Sequence, residues 1–434
     1  MQLVAYGAAD LFLTGNPQIT FFKMVYKRYT NFSSEYIIVD FDTIPSLTTT
    51  QFTESTAIVK RNADLVSDSY LGFKLPKITN IADRPKESDP LPNGYFKWTT
   101  NVGVNLIERS EIFIGGQLID RHYGSFINIY STLVQSNFKL VAWRQLVGNE
   151  VQSEVGSNII PETQLYIPLI FWFCLNPGLS LPLISIQYME VEIRFRFREL
   201  NDLFTLHDAA TGLDLSPEEF FQTATIPVEF NGFTSSNILN YFTQQQPLQD
   251  PFLMMNYIYL DESERTIFAK NTHEYLIPQV QYQLFDGVRS GPNVADLILN
   301  LPVKEFLWII QNDDKVLNQN AWNDYLKVMK NGTFLFNGNE RTNIKDGVFW
   351  DVLQNWKYHE NYIPAVYNYS FSLFPEDTKP SGTSNFSRIV NPQFQLTLDD
   401  TLNPDENYIL YFYAVNYNVL RVMAGMTGLV FSGV

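Results

Sequence analysis

The chain has 434 residues, of which 15% are aromatic, with 22 Pro, 22 Gly and a formal net charge of −16. This length suits two domains of roughly 200 residues each, and the composition favours strands and turns over helices. The negative charge argues against direct binding to nucleic acid or to an anionic membrane surface, because both are polyanions. We therefore expect an all-β protein with no direct nucleic-acid contact.

Cysteine usage and the N-terminus indicate the compartment. Cys174 is the only cysteine, so the chain forms no internal disulfide, which suits a reducing environment. It lies in an apolar run, so we expect a buried core residue rather than a reactive thiol. The chain begins without a signal-peptide pattern, and its longest near-apolar run, residues 165–175, is shorter than the roughly 20 residues of a membrane helix. A soluble protein made in the cytosol is expected.

Residues 1–30 form an N-terminal arm in which apolar and basic residues mix without a clean period. The arm either packs on its own domain or reaches a neighbouring subunit or partner. Its spacing allows a short helix with Phe21, Phe22, Val25 and Tyr29 on one face and Lys23, Lys27 and Arg28 beside it.

Two tight hairpins are predicted half a chain apart. Gly115-Gly116 separates two strand-like segments, and Asn337-Gly338 separates two others; both pairs suit a turn with positive φ at its two central positions. Each hairpin is followed by apolar residues at i, i+3, i+4 and i+7, which predicts a helix with one apolar face. These residues are Phe126, Ile129, Tyr130 and Leu133 in the first copy, and Phe349, Val352, Leu353 and Trp356 in the second.

Residues 166–198 combine strand, loop and strand. The clearest pattern is at its end, where one apolar and one charged set alternate as in a strand with one face on a core. The apolar set is Met189, Val191, Ile193, Phe195 and Phe197, and the charged set is Glu190, Glu192, Arg194, Arg196 and Arg198. Its charged face is either solvated or a polar subunit contact. Upstream, Pro177-Gly178 separates two apolar runs that each suit a strand. Residues 367–374, 380–382 and 394–398 repeat this order, so we infer an internal duplication.

The domain bounds follow from this repeat. Strongly apolar strands close the copies at residues 252–260 and 408–415. We expect a first domain over residues 31–261, a linker over 262–274 that starts as a short helix capped by Asp261, and a second domain over 275–434. Within the first domain, residues 201–250 contain few apolar blocks and are expected to form a long exposed loop.

No catalytic constellation is recognisable. The four histidines (His122, His207, His273 and His359) are scattered without metal-ligand spacing, and the acid pairs Asp313-Asp314 and Asp399-Asp400 suit solvated surface. We therefore expect no enzyme activity, metal or cofactor. Four sites match the glycosylation sequon, namely Asn31, Asn331, Asn368 and Asn385.

Several long runs resemble the major capsid protein of nucleocytoplasmic large DNA viruses, most like those of large algal viruses. They are GAADLFLTGNPQITFFKMVYKRYTNF, IFIGGQLIDRHYG, YIPLIFWFCLNPGLSLPLISIQYMEVEIRF, LDESERTIFAKNTHEYLI and YAVNYNVLRVMAGMTGL. The resemblance runs from about residue 3 to residue 429 and keeps the order of the runs. It implies a double jelly roll, that is, two tandem eight-stranded antiparallel jelly rolls with short helices in loops.

The resemblance also implies function. Three chains would form a capsomer of pseudo-hexagonal outline, and capsomers would tile an icosahedral shell around an internal membrane and a DNA genome. The arm would lie at the capsomer base, where Lys23, Lys27 and Arg28 would face minor capsid proteins and the membrane. Long loops such as 201–250 would face outward, where any glycans occur. A minor or vertex-associated capsid paralogue, or a tandem β-sandwich carbohydrate-binding protein or glycan hydrolase, stays an alternative.

Overall fold

A computed structural model describes residues 7, 10–45, 51–79, 94–149, 151, 159–223 and 249–431. Within these ranges the chain is mostly antiparallel β-sheet, as the composition predicts. The helices are short, and they are α1 Leu11–Thr14, α2 Val102–Leu106, α3 Gly124–Val134, α4 Asn137–Leu146, α5 Trp172–Leu175, α6 Pro217–Thr223, α7 Glu262–Lys270, α8 Asp313–Gln319 and α9 Gln354–Tyr358. A π-helical turn, Phe349–Leu353, leads directly into α9.

The strands divide into two sets. Those of the first half are β1 Phe32–Val39, β2 Thr53–Ile58, β3 Leu65–Leu75, β4 Ile78–Thr79, β5 Tyr95–Trp98, β6 Ile107–Ile114, β7 Gln117–Tyr123, β8 Ile159–Ile160, β9 Thr163–Pro168, β10 Val191–Phe197, β11 Phe204–Asp208, β12 Leu213–Leu215 and β13 Gln249–Leu260. Those of the second half are β14 His273–Val288, β15 Gly291–Asp296, β16 Pro302–Asn312, β17 Met329–Phe336, β18 Asn339–Glu340, β19 Lys345–Asp346, β20 Val366–Ser370, β21 Ser384–Asn385, β22 Gln393–Leu398, β23 Tyr408–Met423 and β24 Met426–Leu429.

The two halves share one topology. In the first half the main sheets have the orders β1-β13-β3-β9 and β2-β10-β6-β7, and in the second half β14-β23-β16-β20 and β15-β22-β17-β18. We number the eight strands of these two sheets from 1 to 8 in chain order within each half. Both halves then have the strand orders 1-8-3-6 and 2-7-4-5. This is the strand order of a jelly roll, so the predicted fold and the internal duplication are confirmed.

Both predicted hairpin turns are present. Gly115 and Gly116 have φ values of 58° and 79° and join β6 to β7. Asn337 and Gly338 have φ values of 53° and 77° and join β17 to β18. Such left-handed backbone at both central positions matches the twist of the flanking strands, which explains why Gly and Asn stand there.

Each jelly roll encloses an apolar core between its two sheets. In β10 the residues Val191, Ile193, Phe195 and Phe197 are all buried in the first core, which confirms the predicted alternation. The second core contains a dense aromatic cluster around Trp308 and Phe334, whose rings lie 5.7 Å apart. Aromatic pairs of this geometry stabilise a core beyond the area that they bury.

The apolar runs around Pro177 do not form the predicted pair of strands. The strand of this region is β9, which ends at Pro168, and the following run contains α5 and a 3₁₀ turn, Pro177–Leu179. Beyond this turn the chain makes only an isolated bridge between Leu181 and Val66. Continuous apolar sequence indicated burial correctly, but it does not distinguish a strand from a buried helical turn.

Two other local predictions differ from the structure. In the arm, residues 21–30 are not helical, and the short helix α1 lies upstream. The expected exposed loop 201–250 begins instead with β11, β12 and α6, and Phe204 and Leu206 are buried in the first core. Residues 224–248 lie outside the described ranges.

The helix predicted in the linker is α7, but its cap differs from the prediction. The Asp261 side chain makes no capping hydrogen bond and accepts one from the Ser263 hydroxyl at 2.9 Å.

Candidate assembly interface

The polar side chains that could carry catalysis are dispersed and are bound by structural partners. Within the described ranges, no group of three or more His, Cys, Asp or Glu is arranged to hold a metal ion. His207 contacts Asp214 at 2.8 Å, and His273 contacts the Phe268 carbonyl at 2.8 Å. Among the acid pairs, the Asp400 carboxylate accepts a hydrogen bond from exposed Lys330 at 2.7 Å. These contacts define local structure and no reaction centre.

An apolar seam joins the two jelly rolls. Helix α3 of the first jelly roll packs its apolar face on the outer face of sheet β14-β23-β16-β20 of the second. The helix side of this seam contains the four residues that the sequence predicts, Phe126, Ile129, Tyr130 and Leu133, and all of them are buried. The sheet side includes Leu307, Ile309, Val366, Tyr413 and Val415.

Alternation along the strands explains why this sheet is apolar on both faces. In β16, Phe306 and Trp308 point into the second core, whereas Leu307 and Ile309 point toward α3. A strand buried on both faces has a continuous apolar sequence, as residues 306–310 do.

Hydrogen bonds to the second jelly roll fix the position of α3. The hydroxyl groups of Ser125 and Tyr413 lie 2.6 Å apart, and the Asn128 amide donates to Tyr325 at 2.9 Å. At the other end of the helix, the Asn361 backbone N–H donates to the Leu133 carbonyl at 3.1 Å. Satisfied polar groups inside an apolar contact specify one arrangement of the two surfaces.

A buried charged cluster lies at one end of the seam. Lys304 Nζ is 3.8 Å from Glu305 Oε1, and His359 Nε2 is 3.7 Å from Glu305 Oε2. The His359 Nδ1 atom also lies 3.0 Å from Glu376 Oε1. Burial raises the pKa of Glu305 above its usual value, and the neighbouring Lys304 and His359 oppose that shift. Sequence reasoning missed this cluster, although a Lys-Glu pair inside an apolar strand is a signal that could have found it.

The charged face of β10 has a mixed environment. Arg194 pairs with Glu192 at 2.7 Å and remains partly exposed. At the end of this face, the Arg198 guanidinium lies 3.8 Å from the ring centroid of Trp322 in the second jelly roll. Glu190 and Arg194 are therefore solvated, Glu192 and Arg196 are half-buried, and Arg198 contributes to the seam between the jelly rolls.

The arm is exposed along its described length. Residues 11–30 are all exposed, including the three basic residues Lys23, Lys27 and Arg28. Large side chains such as Phe12, Phe22 and Met24 are more than nine-tenths exposed. The described part of the arm therefore does not pack on its own domain. A solvent-exposed apolar segment of this size indicates a site of interaction with another molecule.

The sequons differ in their accessibility. Asn31 and Asn385 are exposed, Asn331 is half-buried in β17, and Asn368 is fully buried in β20. A glycan has no room at Asn368 in the folded chain.

Cys174 is half-buried, with its Sγ atom 3.1 Å from the Ser69 hydroxyl. Burial raises the pKa of this thiol to about 12, so it stays protonated and unreactive at neutral pH.

In the described part of the chain, no helix is both apolar enough and long enough to cross a membrane.

Comparison with known proteins agrees with this architecture. Residues 20–261 match the family described as major capsid protein N-terminus, and residues 264–428 match the large eukaryotic DNA virus major capsid protein family. The major capsid protein of Pyramimonas orientalis virus is 34% identical over 100% of this chain and 98% of the relative. That of Phaeocystis pouchetii virus is 31% identical over 100% of this chain and 99% of the relative.

Solved structures agree with the sequence matches. The chain in the quasi-atomic model of the PBCV-1 virus capsid superposes with a TM-score of 0.75 at 28% identity, covering 95% of this chain and 100% of that one. The Faustovirus major capsid protein has a TM-score of 0.74 at 13% identity, covering 96% and 94%, which shows a shared fold.

Two tandem jelly rolls packed against one another through a shared apolar cluster define a double jelly-roll protein. The chain belongs to the family of major capsid proteins of large eukaryotic DNA viruses. It is therefore a non-enzymatic component of the capsid shell and contributes to the capsid lattice.

Proposed function

We propose that three copies of this chain form a capsomer of pseudo-hexagonal outline and that many such capsomers tile an icosahedral shell. The observation that carries the proposal is the repeated strand order 1-8-3-6 and 2-7-4-5 in two jelly rolls packed against one another. Three chains then supply six similar units, so a three-fold particle fills a six-fold lattice position. Burial of apolar surface between chains would drive assembly, at about 25 cal/mol per Å² before association costs are subtracted.

Electron microscopy of the purified chain tests this proposal. Class averages viewed down the particle axis should show six similar lobes with three-fold symmetry. Single bilobed particles at every concentration would contradict the proposal.

The N-terminal arm is proposed to contact minor capsid proteins at the capsomer base and to face an internal virion membrane. Exposure of Lys23, Lys27 and Arg28 among large apolar side chains supports this role. Apolar residues supply buried area, whereas cations attract acidic protein surfaces or lipid headgroups. Synthesis and assembly are proposed to occur in the host cytoplasm.

Surface glycosylation is proposed only for the accessible sequons. Asn31 and Asn385 are the exposed candidates, and Asn331 is half-buried.

A further inference from the structure

The second jelly roll has its own helix at the place where α3 stands in the first. After hairpin β17-β18, the turn Phe349–Leu353 and helix α9 follow in the chain, as α3 follows hairpin β6-β7. In α3 the predicted apolar face is buried in the seam. In the second copy Phe349 packs on the second core. The rest of the corresponding face is open within the described structure, since Val352, Leu353 and Trp356 expose 36, 46 and 78% of their surface, and Val348, one turn before Val352, exposes 56%. We call this the helix face.

The first jelly roll has a sheet that corresponds to the sheet under α3. By strand order, β1-β13-β3-β9 is equivalent to β14-β23-β16-β20. In the second jelly roll, the row of residues under α3 is Tyr282, Tyr413 and Leu307, which are paired across adjacent strands. The outer side of this sheet is therefore built to receive a helix.

The corresponding row in the first jelly roll is apolar, half-buried at three positions and exposed at the fourth, Ile38. Ile38 pairs with Met254, Met254 with Tyr70, and Tyr70 with Pro168, so these four residues lie side by side on the outer face. Ile38 and its neighbour on the same face, Tyr36, are more than half exposed. We call this outer side of β1-β13-β3-β9 the sheet face.

A second row extends the sheet face. Phe252 pairs with Gly72, and Gly72 pairs with Tyr166. The Phe252 ring lies over Gly72, where a Cβ atom would come within 2.4 Å of it. Gly72 therefore lets an aromatic ring lie flat on the sheet and broadens its apolar surface.

We infer that the helix face of one copy docks on the sheet face of a second copy, as α3 docks on the second jelly roll within one chain. This inference rests on the proposed trimer and names the surfaces that form it. Among the residues that the structure describes, each chain holds one helix–sheet pair internally and presents one helix face and one sheet face that no other described segment covers. Such a head-to-tail contact is heterologous, and it leaves no open face when the ring closes. Three chains would then contain six equivalent helix–sheet pairs.

Single substitutions on each face test the inference by light scattering coupled to size-exclusion chromatography. Trp356→Asp or Val348→Asp on the helix face, and Ile38→Asp on the sheet face, should each reduce the trimer fraction at least tenfold. Each variant should keep the circular dichroism spectrum of the wild-type chain, because these side chains are exposed. Val294→Asp is the matched control for Val348→Asp, since Val294 is 60% exposed on the edge strand β15, and it should remain trimeric.

The outcomes separate this inference from the proposed function. A trimeric wild-type chain whose face variants also remain trimeric would overturn the assignment of surfaces and leave the trimer intact. A wild-type chain that is monomeric would overturn both.

Mixing the variants tests the head-to-tail character of the contact. Trp356→Asp keeps an unaltered sheet face, and Ile38→Asp keeps an unaltered helix face. In an equal mixture these two faces should bind each other and form a one-to-one dimer of about twice 50.1 kDa. If the contact instead joined two helix faces, Ile38→Asp alone would self-associate and the mixture would contain no mixed dimer, which would overturn the inference.

Discussion

The seam between the jelly rolls should contribute strongly to the stability of the chain, and Phe126→Ala measures its contribution. Phe126 is 2% exposed, and its ring lies 5.4 Å from Tyr413 of the second jelly roll and 5.3 Å from Tyr130. Burial of about 150–250 Å² by an aromatic side chain at about 25 cal/mol per Å² corresponds to roughly 4–6 kcal/mol. Phe→Ala substitutions in cores typically cost about 3–5 kcal/mol. We therefore expect Phe126→Ala to lower the free energy of unfolding by about 3–5 kcal/mol.

Denaturant unfolding followed by intrinsic fluorescence is the assay, with the assembly state of both proteins matched by light scattering. Because α3 joins both cores, the loss should also separate the unfolding of the two jelly rolls into two transitions. Phe138→Ala is the matched control, since Phe138 in α4 is 90% exposed, and it should change stability by less than about 0.5 kcal/mol. A loss below about 1 kcal/mol for Phe126→Ala would refute the proposed importance of the seam.

Two further predictions concern pH and the arm. Burial raises the pKa of Asp202 to about 6 from its usual 3.8, against the opposing effect of Arg198. Because the carboxyl group ionises less readily in the folded chain than in the unfolded chain, the free energy of unfolding is highest below pH 3.8 and falls as pH rises through 6. Asp202→Asn should therefore stabilise the chain at pH 8 by up to about 3 kcal/mol but leave stability at pH 4 unchanged; an equal effect at both pH values in thermal unfolding would contradict this. Deletion of residues 1–30 should leave trimers intact in light scattering but impair packing into shells seen by electron microscopy, and normal shells from the truncated chain would refute the role of the arm.

Local patterns predicted the elements whose environment is decided within a few residues. The alternation in β10 and the Gly-Gly and Asn-Gly turns required only neighbouring positions, and all are present. The i, i+3, i+4, i+7 spacing likewise predicted α3 and its buried face. The same spacing after β18 gave an equally apolar face, but Trp356 is exposed. Periodicity shows that a helix has an apolar face, and it does not show whether the same chain covers it.

Features that depend on contacts distant in sequence could not be predicted. The Lys304-Glu305 pair is a visible signal inside an apolar strand, but nothing local indicates its partner His359, which lies more than fifty residues further along the chain. The helix expected at residues 21–29 packs on no other segment that the structure describes, and isolated short helices are marginal in water. Phe204 and Leu206 belong to the first core although their neighbourhood is mostly polar, because pairing of β11 with β5 brings them there.

The mass of the purified chain in solution tests the central claim most directly. Light scattering coupled to size-exclusion chromatography should give a particle of about three times 50.1 kDa, with the same mass after tenfold dilution. A mass of 50.1 kDa at every concentration would contradict the account.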